Sequence, residues 1–302
     1  MALVNYHEPV LLHECIAALN IKPNGIYADA TYGGGGHTKE ILKHLKNGKM
    51  IGFDQDGDAA ANAVDDQRFT LVRDNFRNML QRLEELNVLP LDGLLADLGI
   101  SSHQIDEPAR GFSTRFEASL DMRMNQNEKL TAAQVVNTYS ERELTTVFSA
   151  YGEIRNSKTL ASAIVNARNK KAIETIDELK QAIANCVSKD KQYQYHAQVF
   201  QALRIEVNDE LGALRELLSQ CPQLIKKGGR LVVISYHSLE DRLVKNFIAT
   251  GNVEGEQKKD LFGHAIGVTF KAINKKPITP SAEELKSNTR SRSAKLRVAE
   301  RV

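Results

Sequence analysis

The 302-residue chain has only three cysteines, Cys15, Cys186 and Cys221. They are far apart and form no C-x-x-C pair, which argues against a disulfide framework and leaves three small buried or half-buried thiols. No apolar run approaches the roughly 20 residues that cross a bilayer, so no membrane partner is expected. The opening Met1–Pro9 has neither the basic start nor the apolar core of a secretory leader, and the cytosol is the expected compartment. His7-Glu8 and His13-Glu14 look like fragments of a zinc helix, but no H-E-x-x-H is present and no metal is expected. A G-x-S-x-G nucleophile elbow, a phosphate-binding G-x-x-x-x-G-K-[ST] loop and internal repeats are also missing.

What is present is ordinary for a globular protein: 42% hydrophobic and 26% charged residues, with a net charge of +2. The charge is unevenly spread. From Gly251 to Val302 basic residues outnumber acids, which suits either a polyanionic partner or a solvated surface.

The first third alternates strand and helix signals. Strands are expected at Ile26–Ala30, Lys49–Asp54, Phe69–Val72 and Gly93–Leu98, with helical segments at 37–45, 58–64 and 77–86 between them. That rhythm predicts a parallel sheet with helices on both faces. It stops after Gly99. Residues 99–130 are irregular, and a helical stretch follows in which Ser140 with Glu143 and Thr175 with Glu178 form capping boxes. Residues 105–195 therefore read as an inserted all-helical subdomain, with 1–104 and 196–302 forming the α/β part. A long helix is expected over 193–218, a strand over Arg230–Tyr236 after a turn at Gly228-Gly229, and a helix capped by Ser238 with Asp241. Gly267–Ile273 and Lys295–Ala299 have the alternation of antiparallel edge strands.

Gly33–Gly36 follows the first strand and opens a helix. Glycine lets the backbone approach a ligand closely, and the helix N-terminus favours negative charge. Asp54 ends the next strand about twenty residues later, where an acid can accept hydrogen bonds from ribose hydroxyls. These features suggest a nucleoside-containing cofactor. A plain tight turn with Asp54 as a helix cap is one alternative. A dinucleotide is another, weakened because Gly33-x-Gly35-x-x-Thr38 lacks the third glycine. Asp97 ends a strand beside the same crevice. It contacts either the cofactor or the group being modified, or else caps the loop through the Ser101 and Ser102 amides.

The ordered motifs YHEPVLLHE (6–14), ADATYGGGGHT (28–38), GFDQD (52–56), ADLGISSHQID (96–106), RGFS (110–113), LDMRM (120–124), FQALRIEVNDEL (200–211), ISYHSLEDRLVK (234–245) and RSRSAKLRVAER (290–301) run essentially end to end. Together they resemble the bacterial small-subunit (16S) rRNA cytosine-N4 methyltransferases. The resemblance implies a class I, Rossmann-like methyltransferase sheet that binds S-adenosyl-L-methionine and carries the helical insertion as an RNA-recognition subdomain. It implies methylation of the exocyclic amine of a cytidine in the decoding region of 16S rRNA, and it leaves a homodimer open. By similarity the cofactor is held by Gly35, Gly36 and His37, by Asp54 at the ribose, by Phe76 beside the adenine, and by Asp97 and Gln104. The chain departs from the family's usual pattern at Gly34 (often Arg), His103 (often Pro), Gln194–Gln198 (usually His-Pro-Ala-x-Arg) and Thr289 (usually Pro).

Methyl transfer from a sulfonium is an in-line displacement in which alignment matters most. The cytosine amine is a weak nucleophile, and a hydrogen-bond acceptor would localise its lone pair. Asp97, or a carbonyl in Leu98–Ser101, is the expected acceptor. Candidates for the RNA face are Arg110, Phe112, Arg115, Arg123, His237 and Arg290–Arg297, each with a structural alternative: Phe112 anchoring its loop, Arg123 pairing with Asp121, His237 as a core residue. Rival readings are a methyltransferase acting on DNA or protein, a nicotinamide-dependent oxidoreductase, and an RNA-binding assembly factor without turnover.

Overall fold

The protein is described here from a computed structural model covering residues 9–302 other than Lys258, His264 and Ala265. Tyr6–Glu8 of the first motif, including His7-Glu8, and Lys258 of the basic tail lie outside the described residues.

The chain divides into two compact units: one runs to Gly99 and resumes at Leu211–Val302, and the other is Ile100–Glu210. In the first unit, α1 (Leu12–Leu19) precedes β1 (Ile26–Asp29), α2 (Gly36–His44), β2 (Lys49–Phe53), β3 (Phe69–Val72), α3 (Met79–Glu85) and β4 (Leu91–Asp97). The second unit holds α4 (Ser102–Asp106), α5 (Ala132–Thr138), α6 (Glu141–Ala150), α7 (Ser157–Arg168), α8 (Ile176–Ala182) and α9 (Gln192–Asn208). Then come α10 (Glu210–Leu224), β5 (Ile225–Ser235), α11 (Ser238–Thr250), β6 (Phe270–Ala272), α12 (Ala282–Ser287) and β7 (Lys295–Arg301).

The sheet order is β3-β2-β1-β4-β5-β7-β6. Strands β1 to β5 are mutually parallel, whereas β7 runs antiparallel to both β5 and β6. This is the class I methyltransferase sheet. Its interior strands are apolar on both faces, as expected where helices cover both sides: Leu94, Leu95 and Ala96 of β4 and Leu231–Ile234 of β5 are all buried. Cys15 and Leu19 of α1, Ile41 of α2, Met50, Leu95, Val232 and Leu296 share one apolar cluster. Because β1 lies between β2 and β4, the chain leaves β1 to one side of the sheet and returns on the other. That reversal opens a crevice at the carboxyl ends of β1 and β4.

Two local readings are corrected. The strand expected at Arg230 starts at Ile225, because Gly228 (φ +77°) and a register shift against β4 make the glycine pair an irregularity inside β5 rather than a turn before it. The long helix expected over 193–218 is two helices, broken where Asp209 takes a left-handed conformation (φ +45°). Its first half packs with the helical unit through Val199, Phe200, Leu203 and Val207. The compact units part after Gly99 and after Glu210, where the sequence placed the domain limits at 104 and 196.

The helical unit has its own core, in which Leu144, Phe148, Leu160, Ile164 and Leu203 are buried. The boxes at Ser140 with Glu143 and at Thr175 with Glu178 both form. A third, Thr131 with Gln134, starts α5. Among the described residues no helix is long and apolar enough to cross a membrane.

Candidate cofactor and methyl-transfer site

Each of β1, β2 and β4 delivers an acidic residue to the same sheet edge: Asp29, Asp54 and Asp97. Asp29 is 1% exposed and organises the start of the glycine loop. Its carboxylate accepts from the Thr31 amide (3.1 Å) and from the Thr38 hydroxyl on α2 (2.9 Å). The sequence reading passed over Asp29, although it shares the strand-end signature of the other two acids.

The loop between β1 and α2 takes two left-handed residues, Gly33 (φ +51°) and Gly35 (φ +72°). Gly35 is the N-cap of α2, and a Cβ there would fall 2.5 Å from the Tyr32 hydroxyl oxygen. Glycine takes that conformation without strain, and any side chain there would also collide with Tyr32. Asp54 closes the loop onto β2: its carboxylate accepts from the Gly33 amide (2.7 Å) and from the Asp56 amide (2.8 Å). Burial pushes the Asp54 carboxyl up to about 6, against the pull of those two amides.

Asp97 is held from three directions. Its amide donates to the Thr31 hydroxyl (2.7 Å) and its Oδ1 accepts from the Tyr236 hydroxyl (2.8 Å). Its Oδ2 lies 3.9 Å from Nδ1 of His37, whose Nε2 donates to the Val10 carbonyl (3.0 Å). Burial raises the Asp97 carboxyl to about 6, while His37 and the Tyr236 hydrogen bond pull it back. Of the two loop amides that Asp97 was expected to cap in the alternative reading, that of Ser101 is taken by Gln104 (3.1 Å).

Phe76 is half-buried in the turn after β3. The preceding Asn75 donates to the Gln55 side chain (2.8 Å), which ties the turn to the segment following Asp54. Gly35, Gly36, His37, Asp54, Phe76 and Asp97 thus share one edge of the first unit. Gln104 belongs to the helical unit, where it is 4% exposed and completes the capping box of α4 with Ser101.

Several candidates for an RNA face have structural work instead. Arg110 is 5% exposed and donates to the carbonyls of Arg123 and Met124. Phe112 lies in the helical core. Arg123 makes a two-pronged pair with Asp121 (2.9 and 2.7 Å). His237, not Ser238, caps α11, in a reciprocal box with the buried Glu240. Arg297 pairs with Asp241 (2.6 and 3.1 Å). Arg115 and Arg292 are exposed.

Residues 4–302 match the MraW methylase family. The chain belongs to that family. Proteins named ribosomal RNA small subunit methyltransferase H are similar to this chain over nearly their whole lengths. The one from Flavobacterium johnsoniae is 53% identical over 300 residues, covering 99% of each chain. That from Cytophaga hutchinsonii is 54% identical over 298 residues, 98% of this chain and 99% of its own. That from Amoebophilus asiaticus is 55% identical over 298 residues, 98% of this chain and 96% of its own.

Proposed function

We propose that this chain transfers the methyl group of S-adenosylmethionine to the exocyclic N4 amine of a cytidine in the decoding region of 16S rRNA. The observation that carries the reading is the meeting of a left-handed glycine loop with two carboxyls, Asp54 and Asp97, both raised to about 6 by burial, at the crevice of a class I sheet. Such acids favour a ligand that brings positive charge and hydroxyl donors. S-adenosylmethionine has both, so the donor set fits it. The full-length likeness to rRNA small-subunit methyltransferases supports the choice of acceptor.

When bound, that cofactor supplies a methyl group already activated on a sulfonium. The remaining tasks fall to the protein. Gly35, Gly36 and His37 present backbone at the start of α2, Asp54 accepts from ribose hydroxyls, and Phe76 offers an aromatic face. Asp97 both faces the cofactor and accepts a hydrogen bond from the target amine, balancing the positive charge that develops on nitrogen. The amine of a stacked cytidine is out of reach, so the nucleotide must be single-stranded or flipped out. Exposed Arg115 and Phe116 of the helical unit, and Arg292 of the tail, are the RNA contacts this reading favours.

The test is incubation with labelled S-adenosylmethionine and either small subunits or naked rRNA, followed by nucleoside mass spectrometry. Label in N4-methylated cytidine is expected. Label on another base or atom, or none on RNA, contradicts the proposal.

A further inference from the structure

We propose that Tyr236 is a positioning residue for methyl transfer, whose hydroxyl fixes the rotation of the Asp97 carboxylate and leaves Oδ2 as the face open to the reacting groups. The inference rests on the role given to Asp97 above. It goes further by assigning a residue that lies 139 positions away along the chain.

The sheet brings the two together. Asp97 is the last residue of β4 and pairs with Ile234 of β5. Tyr236 follows two residues beyond Ile234, just past the end of β5 at Ser235. Its backbone is pinned there: the Tyr236 amide donates to Oε2 of Glu240 (2.8 Å), and Glu240 is 2% exposed within the cap of α11. The ring lies against Gly99, where an added Cβ would sit 3.4 Å from Cδ2 of the tyrosine. From this position the hydroxyl reaches Oδ1 of Asp97 at 2.8 Å.

Thr31 holds the Asp97 backbone and Tyr236 holds Oδ1, which turns Oδ2 to the side where His37 stands at 3.9 Å. A free carboxylate would present either oxygen at any of several rotations. A fixed one presents a single acceptor, which is what alignment of a weak nucleophile requires. The phenol keeps its proton and so donates to the ionised carboxylate, because burial and the neighbouring Asp97 raise the Tyr236 hydroxyl well above its ordinary value. The groups facing Asp97 are His37 on α2, Asp29 on β1, Glu240 on α11 and Cys15 on α1, together with Tyr236 itself. Asp29 and Glu240 raise the Asp97 carboxyl, whereas His37 and the Tyr236 hydroxyl lower it. Loss of the hydroxyl therefore lets Asp97 hold its proton to higher pH.

The test compares wild type with Tyr236→Phe, which keeps the ring and removes only the donor. In the cofactor-free protein, a carbon-13 titration of aspartate carboxyls, with Asp97 assigned through its absence in Asp97→Asn, is expected to give a midpoint near 6 in wild type. That midpoint should move up by about one pH unit in Tyr236→Phe, as for loss of a hydrogen bond to the charged form. The acid limb of kcat/KM, which reads the ionisations of the free protein, should move with it, giving a roughly tenfold deficit at pH 6 that narrows to a few-fold by pH 8.5. In the Asp97→Asn background the same change should alter kcat by less than about twofold, because the partner is gone. An unmoved Asp97 midpoint, a deficit equal at every pH, or additive losses in the double variant would each overturn the role given to Tyr236. Failure of the wider reading is seen separately, as wild-type protein that puts no methyl group on cytidine N4.

Discussion

At the residue scale the proposed chemistry is concentrated in two acids whose carboxyls burial raises to about 6 from their ordinary value of about 3.9. The sign of this shift matters. The cofactor-free folded protein holds these protons more tightly than the unfolded chain, so their contribution to stability is fully present below about pH 4 and is lost as pH rises through 6. A cofactor that needs the ionised acids works in the opposite direction. Affinity for S-adenosylhomocysteine, read by calorimetry, is expected to be flat above pH 7. It should fall below pH 6 by about tenfold per pH unit for each proton displaced. Constant affinity from pH 5 to 8 would mean that neither acid takes its charged form at the ligand. The same scale holds what the sequence hid. Asp54 and Asp97 could be picked out because each ends an apolar strand. Tyr236 could not, since its partner is remote in the chain. Arg110 and Arg123 looked like RNA ligands because a composition cannot tell a solvated arginine from one folded back onto carbonyls or a neighbouring acid.

At the scale of elements, the proposed site depends most on the loop from β1 to α2. Gly35 is the residue least open to replacement, since it combines a left-handed backbone with a close approach to Tyr32. Gly35→Ala is expected to destabilise the fold by at least about 1–2 kcal/mol from its backbone conformation alone. It should also weaken S-adenosylhomocysteine binding more than tenfold. Gly34→Ala, which keeps an ordinary φ, should stay within about 1 kcal/mol of wild type. Urea denaturation and calorimetry check both, and equal effects at the two positions would remove the special role of Gly35. Much of this architecture is legible in the sequence. Strands β1 to β4 stand out as short apolar runs bounded by turn residues, and the capping boxes at Ser140 and Thr175 mark helix starts by chemistry alone. Where the reading slipped, the local signal was weak or misleading. Asp209 breaks the α9–α10 run with no glycine or proline to announce it. Gly228-Gly229 reads as a turn, yet the pair is absorbed within β5 because its neighbours pair with β4. His237 took the capping place assigned to Ser238, a residue type far less common there than serine.

At the scale of the whole molecule, the proposed function requires a near-neutral chain to handle a polyanion. The basic tail answers this only in part, since Arg297 is committed to Asp241. Arg292 remains exposed on the turn before β7. Replacing Arg290 and Arg292 together by alanine is expected to weaken rRNA binding and to reduce the slope of log affinity against log salt by about one to two. Filter binding across a salt series reads this directly, and an unchanged slope would remove the tail from the RNA contact. The central claim, that the glycine loop and the strand-end acids hold the methyl donor, is tested most directly by a crystal structure of the protein grown with S-adenosylhomocysteine. Density is expected across Gly33–His37, with ribose hydroxyls on Asp54 and the sulfur end beside Asp97. Density elsewhere, or an empty edge with Asp54 turned away from it, would contradict the claim.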